Sequence, residues 1–378
     1  MSNTGKMRKG QIDVAAFHGG SFWEKFKYDF SRISELGHTI IPADVLDAWY
    51  PPAPAVSQVL RKHLEHIIHT SPPARPQSLI KTISQTREVP ERLISCGTGS
   101  SQLIFLLLEI LFTQKDLAMI IDPMYGEYLH VMEKVVGCKI VSHALKPENN
   151  FQVSLSQLIK DVIQHKPKVV VIVNPNSPAG TYMTRAQVQE FIAAVPKNTM
   201  IIVDETYIEY VGHHESCETL VDQHPNLCIL KSMSKIYALS GLRVGYLIAN
   251  ASITKSLILR IPPWSVSLPG QMAAIAAISN WKYYAKKIEK THKLEKLLFR
   301  ELAKLPGLVT FPSVTNFILC QLKKISASLL IEKLKDKGVY IRNCDSMSKQ
   351  FHNHFVRITV LDQESNNRVL HAIKGILG

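Results

Sequence analysis

The sequence predicts an α/β fold with one large, mostly parallel sheet and a second, smaller domain. From about residue 90, short β-branched runs alternate with longer amphipathic stretches. The runs are almost continuously hydrophobic, as a parallel sheet covered on both faces requires. Their alternation with helical patterns indicates crossover connections. The predicted strands are residues 168–173, 200–203, 227–230 and 244–248, and a predicted helix at 184–194 has Thr184 as its N-cap.

A change in the sequence pattern near residue 269 indicates where the second domain begins. The sequence becomes a long helix rich in Lys and Leu, at about 276–304, followed by shorter elements to the C-terminus. A chain of 378 residues is long enough for two closely packed domains. We predict a large domain over 51–270 and a small domain built from 1–50 and 271–378.

Composition limits the classes of function. Lys and Arg number 44 against 31 Asp and Glu, a net charge of +13 that suits an anionic ligand. The basic residues are scattered, so a nucleic-acid partner is not expected. No apolar run reaches the roughly 18–20 residues of a membrane span, and the N-terminus lacks the apolar region of a secretory signal. Six dispersed cysteines without metal-site spacing predict reduced thiols, a cytoplasmic location and no metal.

The segment Ser232-Met-Ser-Lys235 follows the predicted strand at 227–230. A lysine just past a buried strand is unusual, because burying an ammonium group is costly. A Schiff base with an aldehyde removes that charge. Ser232, together with Arg243 eight residues beyond the lysine, would bind a phosphate ester beside it. The motif alone also fits a turn with a surface lysine.

Three other segments favour pyridoxal phosphate (PLP) as the cofactor. Asp204 ends an apolar strand, where a protonated pyridine nitrogen would supply the partner that a buried carboxylate needs. The loop at 174–180 is placed to reach the phenolic oxygen of the ring. The glycine-rich segment 96–101 opens a helix whose amides form an anion nest. A nucleotide site is the alternative for this segment, but it lacks the P-loop lysine and the GxGxxG spacing.

These motifs, in the order glycine loop, NPxxPxG, DExY, SxSK and GLRxGY, resemble those of the aminotransferase class I/II family of PLP enzymes. The resemblance implies the PLP-dependent transferase fold (aspartate-aminotransferase-like) and a homodimer. It also implies a Schiff base at Lys235, Asp204 on the pyridinium, Tyr207 on the ring hydroxyl and Tyr125 stacked on the ring. Tyr50 resembles the residue that this family lends to the partner's cofactor phosphate. The implied cofactor-binding residues are Tyr50, Gly99, Ser100, Ser101, Tyr125, Asn176, Ser177, Asp204, Tyr207, Ser232, Ser234, Lys235 and Arg243, of which Lys235, Asp204 and Tyr207 are catalytic.

A narrower resemblance is to the L-threonine-O-3-phosphate decarboxylases of cobamide synthesis, which are close relatives of the histidinol-phosphate aminotransferases. It rests on FHGG at 17–20, DFS at 29–31, PWSV at 263–266 and IRNC at 341–344. The resemblance implies that His18 and Gly19 lie at the substrate phosphate and that Arg342 and Arg357 grip the substrate anions. His18 also fits a histidine of a flexible tail. An inward arginine at 357 without a partner would be costly, which favours an anionic ligand.

Two positions depart from the families' patterns. Residues 32–37 replace an Asn-x-Asn-Pro-like turn that is expected to face the substrate. Serine stands at 177 where a second asparagine is usual, so Asn176 and Ser177 remain alternatives for the contact with the ring oxygen.

Three hypotheses of function follow. The preferred one is a PLP-dependent decarboxylase that converts L-threonine phosphate or L-serine phosphate into an amino-alcohol phosphate for cobamide synthesis. The alternative is an aminotransferase of the histidinol-phosphate type, and the third is a PLP-binding protein without catalysis. PLP activates the Cα bond that is perpendicular to its ring. The positions at which His18, Arg342 and Arg357 hold the substrate anions decide which bond that is.

Overall fold

Two sheets organise the chain, and the structure, a computed structural model, describes residues 19–36 and 38–378. His18 therefore lies outside the described residues. The strands are β1 (Ile41–Ala43), β2 (Ile94–Gly97), β3 (Leu117–Asp122), β4 (Lys139–Ala144), β5 (Val169–Val173), β6 (Met200–Asp204), β7 (Leu227–Ser232), β8 (Gly245–Ile248), β9 (Leu308–Phe311), β10 (Phe317–Leu322), β11 (Val339–Asn343) and β12 (Phe355–Thr359).

The larger sheet has the strand order β2-β8-β7-β6-β5-β3-β4. Neighbours from β7 to β4 pair in parallel, which confirms the predicted mostly parallel sheet. β8 differs, since it runs antiparallel to both β7 and β2. The connection from β7 to β8 contains no α-helix. A parallel return needs a crossover, usually through a helix, so the chain turns back beside β7 instead.

Helices cover the sheets. They are α1 (Phe22–Lys25), α2 (Pro54–Lys62), α3 (Leu64–His69), α4 (Gln77–Arg87), α5 (Gly99–Leu111), α6 (Gly126–His130), α7 (Leu155–His165), α8 (Arg185–Ala194), α9 (Ala251–Ile258), α10 (Leu268–Ile278), α11 (Trp281–Leu302), α12 (Ala327–Lys335) and α13 (Gln363–Leu377). Among the described residues, no helix has the length and apolar character of a membrane span.

Two of the predicted helices can be compared directly. Thr184 caps α8 as predicted: its side chain accepts from the Gln187 amide, and the Gln187 side chain accepts from the Thr184 amide. The single long helix predicted at 276–304 is wrong, because α10 and α11 are separate helices. The break falls at Asn280, whose side chain donates to the Ala276 carbonyl. Asparagine competes for backbone groups in this way and therefore favours helix ends.

The smaller sheet joins distant parts of the chain. Its order is β1-β11-β12-β10-β9, with β1 parallel to β11 and the other pairs antiparallel. Ile41 is opposite Val339, so β1 lies against the C-terminal strand β11. Leu294 and Leu298 of α11 pack into the core of this sheet. The boundaries at residues 51 and 270 remain a prediction.

The parallel strands place polar residues at one edge of the larger sheet. Asp204 is the last residue of β6, and Ser232 is the last residue of β7. The N-terminus of α5 lies close to them, since a Cβ on Gly245 would lie 2.6 Å from the Ser100 amide nitrogen. Ligands of open α/β sheets bind at this carboxyl edge. The fold therefore brings the segments 99–101, 204–207 and 232–235 together.

A buried ionic cluster lies on the other side of β7. Lys231 is buried, and its Nζ lies 3.4 Å from Glu205 Oε2, 2.7 Å from Glu209 Oε1 and 3.7 Å from Glu218 Oε2. Arg87 adds a second cation, 3.3 Å from Glu209. Burial acts to lower the pKa of Lys231, but the three carboxylates outweigh it and raise that pKa. The cluster thereby joins β7 to the segment after β6. Thr206 and Tyr207 of that segment line the cavity at the carboxyl edge of the sheet.

We expect Lys231→Met to lower the free energy of unfolding by about 3–5 kcal/mol, because it leaves three buried carboxylates with Arg87 as their remaining cation and Glu205 without its ion pair. Urea unfolding of the cofactor-free chain, followed by circular dichroism, measures this. Lys168→Met is the matched control. Lys168 pairs with Asp116 at 2.8 Å with 44% of its side chain exposed, so the loss should stay below about 1 kcal/mol. Equal losses in the two variants would contradict the stabilising role of the cluster.

Candidate active site

A cavity of about 290 Å³ opens at the carboxyl edge of the larger sheet. Its lining includes residues from both sheets and from the segment that follows β1. The predicted site residues that line it are Gly19, Ser100, Ser101, Tyr125, Ser177, Asp204, Tyr207, Ser232, Ser234, Lys235, Arg243, Arg342 and Arg357.

Lys235 projects into this cavity from the connection between β7 and β8. Its Nζ lies 3.3 Å from Asp47 Oδ1, and 23% of its side chain is exposed. Burial lowers the pKa of Lys235; Asp47 opposes this shift, and Arg357 and Arg243 add to it. A lowered pKa increases the fraction of neutral amine, which is the nucleophilic form.

Asp204 is a buried carboxylate with a fixed orientation. Its Oδ1 accepts from the amide of Thr206 at 3.0 Å and from the hydroxyl of the same residue at 2.6 Å. Its Oδ2 accepts from the Tyr128 hydroxyl at 3.0 Å. Burial raises the pKa of Asp204, and these hydrogen bonds oppose the shift. A cation in the cavity, such as a protonated ring nitrogen, would stabilise the ionised form.

The start of α5 and the Arg243 guanidinium form an anion cradle. Gly99 has φ +80°, and a Cβ at this position would lie 2.6 Å from Arg243 Nη2. Arg243 Nη1 donates to the Ser240 carbonyl at 3.0 Å and lies 3.4 Å from Ser234 Oγ. Helix-start amides, serine hydroxyls and a guanidinium are the donors that bind phosphate. Gly99 itself does not line the cavity, but its missing side chain lets Arg243 lie against the loop.

Tyr125 and Tyr207 supply aromatic walls. Tyr207 is buried and packs edge-on against Phe317, with ring centroids 5.4 Å apart. The Tyr125 hydroxyl donates to Glu127 Oε2 at 2.5 Å, and Ser101 donates to the same oxygen at 3.0 Å. Glu127 thus joins the anion cradle to the aromatic wall. A flat ring placed against Tyr125 would fit these contacts.

Asn176 and Ser177 differ in their position relative to the cavity. The Asn176 side chain donates to the Pro123 carbonyl at 2.9 Å and accepts from the Ala179 amide at 3.0 Å. It holds the loop and does not line the cavity. Ser177 does line the cavity, and its hydroxyl accepts from Arg357 Nη1 at 3.0 Å. Ser177 is therefore the better placed of the two to reach a ligand.

Arg342 and Arg357 are opposite each other on β11 and β12. Both are buried. Arg357 contacts Ser177 and lies 5.4 Å from the Phe317 ring centroid, and its Nε has no hydrogen-bond partner among the described residues. Burial, together with the positive charge of Arg357, lowers the pKa of Arg342 to about 10. Two adjacent buried cations favour an anionic ligand between them.

Two sequence predictions are wrong. Tyr50 is 2% exposed, and its hydroxyl donates to the Ile236 carbonyl of its own chain at 2.8 Å. It lies within its own core and so is not available to a partner's phosphate. The described part of the 32–37 turn does not line the cavity either. Residues 44–47 do so instead, because β1 ends at the sheet edge and carries them there.

Sequence reasoning missed three acidic residues of the cavity: Asp44, Asp47 and Glu127. Asp44 is buried, and its Oδ2 accepts from the Gly20 amide at 2.7 Å. It thereby attaches the segment around Gly19, where a Cβ would lie 2.3 Å from the Asp44 carbonyl oxygen. None of the three belongs to a recognisable motif. The only signal was their position after an apolar run or a proline turn.

Comparisons with known proteins agree with this geometry. Residues 50–373 match the family described as "Aminotransferase class I and II". The chain is 29% identical to the histidinol-phosphate aminotransferase of Pelagibacter ubique over 358 residues, which cover 93% of this chain and 96% of that protein.

Two solved structures share the fold. The histidinol-phosphate aminotransferase of Sinorhizobium meliloti in complex with pyridoxal-5'-phosphate superposes with a TM-score of 0.78 at 21% identity, covering 88% of this chain and 89% of that one. The L-threonine-O-3-phosphate decarboxylase of Porphyromonas gingivalis gives a TM-score of 0.74 at 20% identity, covering 85% and 94%. The predicted fold class is confirmed.

We expect Gly99→Ala to weaken cofactor binding about 10- to 100-fold, because the new Cβ strains the backbone and displaces Arg243 from a charge-assisted contact. Titration of the cofactor-free chain with PLP, followed by absorbance, measures this. Gly241→Ala is the control, since a Cβ there meets nothing within 4 Å. The same PLP affinity in both variants would contradict the role of the anion cradle in cofactor binding.

Proposed function

We propose that this chain, a PLP-dependent member of the aminotransferase class I and II family, is an aminotransferase of the histidinol-phosphate type that acts on a small phosphorylated amine. The observation that carries the proposal is the position of the Lys235 amine near two separate groups of buried or half-buried anion-binding residues. One is the cradle of the α5 start with Arg243, and the other is the pair Arg342 and Arg357. One group suits the cofactor phosphate and the other suits a substrate anion.

The residues present fit the cofactor. Lys235 would attach it covalently, Asp204 would pair with its ring nitrogen, and Tyr125 would cover its ring. Ser232, Ser234 and the α5 start would hold its phosphate with Arg243. When bound, PLP withdraws electrons from the substrate's Cα and makes the bonds of that carbon labile.

The chain's own residues then direct the reaction. Arg342 and Arg357 orient the substrate through its anionic group and fix its Cα relative to Lys235. Lys235 Nζ would accept the proton from the substrate's Cα as a general base and would then donate a proton as a general acid. The aromatic walls exclude water, which strengthens each charge interaction inside the cavity. These roles require a substrate with one amine and at least one anionic group.

A second candidate is the decarboxylation of L-threonine phosphate or L-serine phosphate to an amino-alcohol phosphate, as in cobamide synthesis. The adjacency of Arg342 and Arg357 favours it, because such substrates carry both a phosphate and a carboxylate. The sequence motifs favoured this reaction first. The names of the relatives support the aminotransferase more strongly, since the decarboxylase is similar in fold alone.

One experiment separates the two functions. Purified holoenzyme is mixed in separate reactions with L-histidinol phosphate, L-threonine phosphate and L-serine phosphate, with and without 2-oxoglutarate, and products are followed by mass spectrometry. We expect amino transfer over many turnovers only when the oxo acid is present, and a single turnover that leaves pyridoxamine phosphate without it. Amino-alcohol phosphate that accumulates without an oxo acid would establish the decarboxylase instead. Lys235→Ala should lose both turnover and the visible absorbance of the lysine-bound cofactor.

We expect Arg357→Leu to lower kcat/KM for the phosphorylated substrate about 10- to 100-fold, because it removes a charge-assisted hydrogen bond. Steady-state kinetics with the phosphorylated amine and its dephosphorylated analogue measure this. The analogue lacks the anion and should respond much less to the substitution. A similar loss for both compounds would show that Arg357 does not bind the substrate anion.

A further inference from the structure

Asp47 is a cavity residue that the proposed reaction does not use. Within the described ranges, it supplies the carboxylate that pairs with Lys235, at 3.3 Å. It comes from the segment between β1 and α2, whereas Lys235 comes from the connection between β7 and β8. The contact therefore joins two parts of the chain that belong to different sheets.

Ser240 fixes the Asp47 carboxylate in place. Its Oγ lies 2.6 Å from Asp47 Oδ1 and 2.9 Å from the Ser234 carbonyl. Ser234 immediately precedes Lys235, so the carboxylate is attached to the same loop as the amine. An aspartate with 51% of its side chain exposed would otherwise adopt several rotamers.

The other groups around Lys235 act against its ammonium form. Arg243 and Arg357 are cations that face it, and burial has the same direction of effect on its pKa. The other titratable residues that line the cavity are Asp44, Tyr125, Glu127, Asp204, Tyr207 and Arg342. Asp204 already has its own donors, Thr206 and Tyr128. Asp47 is the group that raises the pKa of Lys235 against these effects.

We propose that Asp47 is a positioning residue that receives the Lys235 amine whenever it is not attached to the cofactor and stabilises its ammonium form beside the substrate. The inference deepens the proposed function, because it assigns the acid–base partner of the lysine in the same site.

The role follows from the proton balance of the reaction. When the Cα–H bond breaks, the proton would go to Lys235 Nζ, and the electron pair would remain with the substrate, where a bound PLP would stabilise it. The resulting ammonium must persist until it returns the proton. Arg243 and Arg357 disfavour this extra positive charge, and Asp47 at 3.3 Å offsets them. In a decarboxylation the same ammonium would protonate Cα after carbon dioxide leaves, so the role of Asp47 holds for either reaction.

The test measures the titration of Lys235 without turnover. Cofactor-free full-length chain is labelled with acetic anhydride at a series of pH values, and the acetylated fraction of Lys235 is read by peptide mass spectrometry. We expect Asp47→Asn to move the midpoint to lower pH by about 0.5–1 unit. An opposite charge this close shifts a lysine by roughly 1–3 units, and exposure of Asp47 reduces the effect. Below the midpoint, labelling should rise about 3- to 10-fold.

Three further variants make the result specific. Asp336→Asn removes the same charge at the end of α12, outside the cavity, and should leave the midpoint unchanged. Asp47→Glu should restore most of the shift. Ser240→Ala keeps the Asp47 charge but removes the hydrogen bond that holds its carboxylate. It should move the midpoint in the same direction by a smaller amount. It also serves as the test if Asp47→Asn does not fold.

An unchanged midpoint in folded Asp47→Asn would overturn the proposal. The holoenzyme gives a second readout: the acidic limb of the kcat–pH profile should move to lower pH in Asp47→Asn. A shifted labelling midpoint without turnover of any phosphorylated amine would support the inference while the proposed function fails. Turnover of a phosphorylated amine with an unchanged labelling midpoint would support the proposed function and contradict the role of Asp47.

Discussion

Asp204, Lys235 and Arg357 are charged or basic groups that line one cavity at the edge of a parallel sheet. Burying a charge costs several kcal/mol unless an opposite charge and hydrogen bonds accompany it. Among the described residues, Asp204 accepts three hydrogen bonds but forms no ion pair. Within the same part of the chain, Arg357 contacts the Ser177 hydroxyl and the Phe317 ring but no carboxylate. Their unmet charges are complementary to a ligand with a cationic ring nitrogen and an anionic group. The cavity is therefore electrostatically incomplete without its cofactor and substrate.

On the opposite side of β7, a buried charge is paired with charges of the same chain. Lys231 and Ser232 are neighbours on this strand, and successive side chains of a strand point to opposite faces. Lys231 meets three carboxylates from its own chain, so its charge is balanced internally. This cluster holds the ends of β6 and β7 together, and the residues on the facing side can then remain uncompensated. An ion-paired cluster behind the site keeps the site groups in place before a ligand arrives.

The choice between amino transfer and decarboxylation depends on geometry rather than on residue types. The same lysine, aspartate and arginines would serve either proposed reaction, and the Cα bond that the bound cofactor activates would decide which occurs. Arg342 and Arg357 lie side by side because β11 and β12 pair in antiparallel register. Small changes in where they hold an anion rotate the substrate about its Cα. Solved structures with this fold carry the names of an aminotransferase and of a decarboxylase.

The sequence alone determined the mostly parallel sheet, the family, the cofactor and the segments at the sheet edge, because local hydrophobic patterns and short motifs encode them. Lys235, Asp204 and Arg243 belong to such motifs, and the structure brings them to one cavity. Only the tertiary structure decided the rest. The antiparallel β8, the burial of Tyr50 and the presence of Ser177 rather than Asn176 in the cavity lining depend on what packs beside each residue. Asp47 comes from a segment distant in sequence from Lys235, and it reaches the lysine because β1 pairs with a C-terminal strand. No local sequence pattern predicts this ion pair, because the two residues come together only when the two sheets pack against each other.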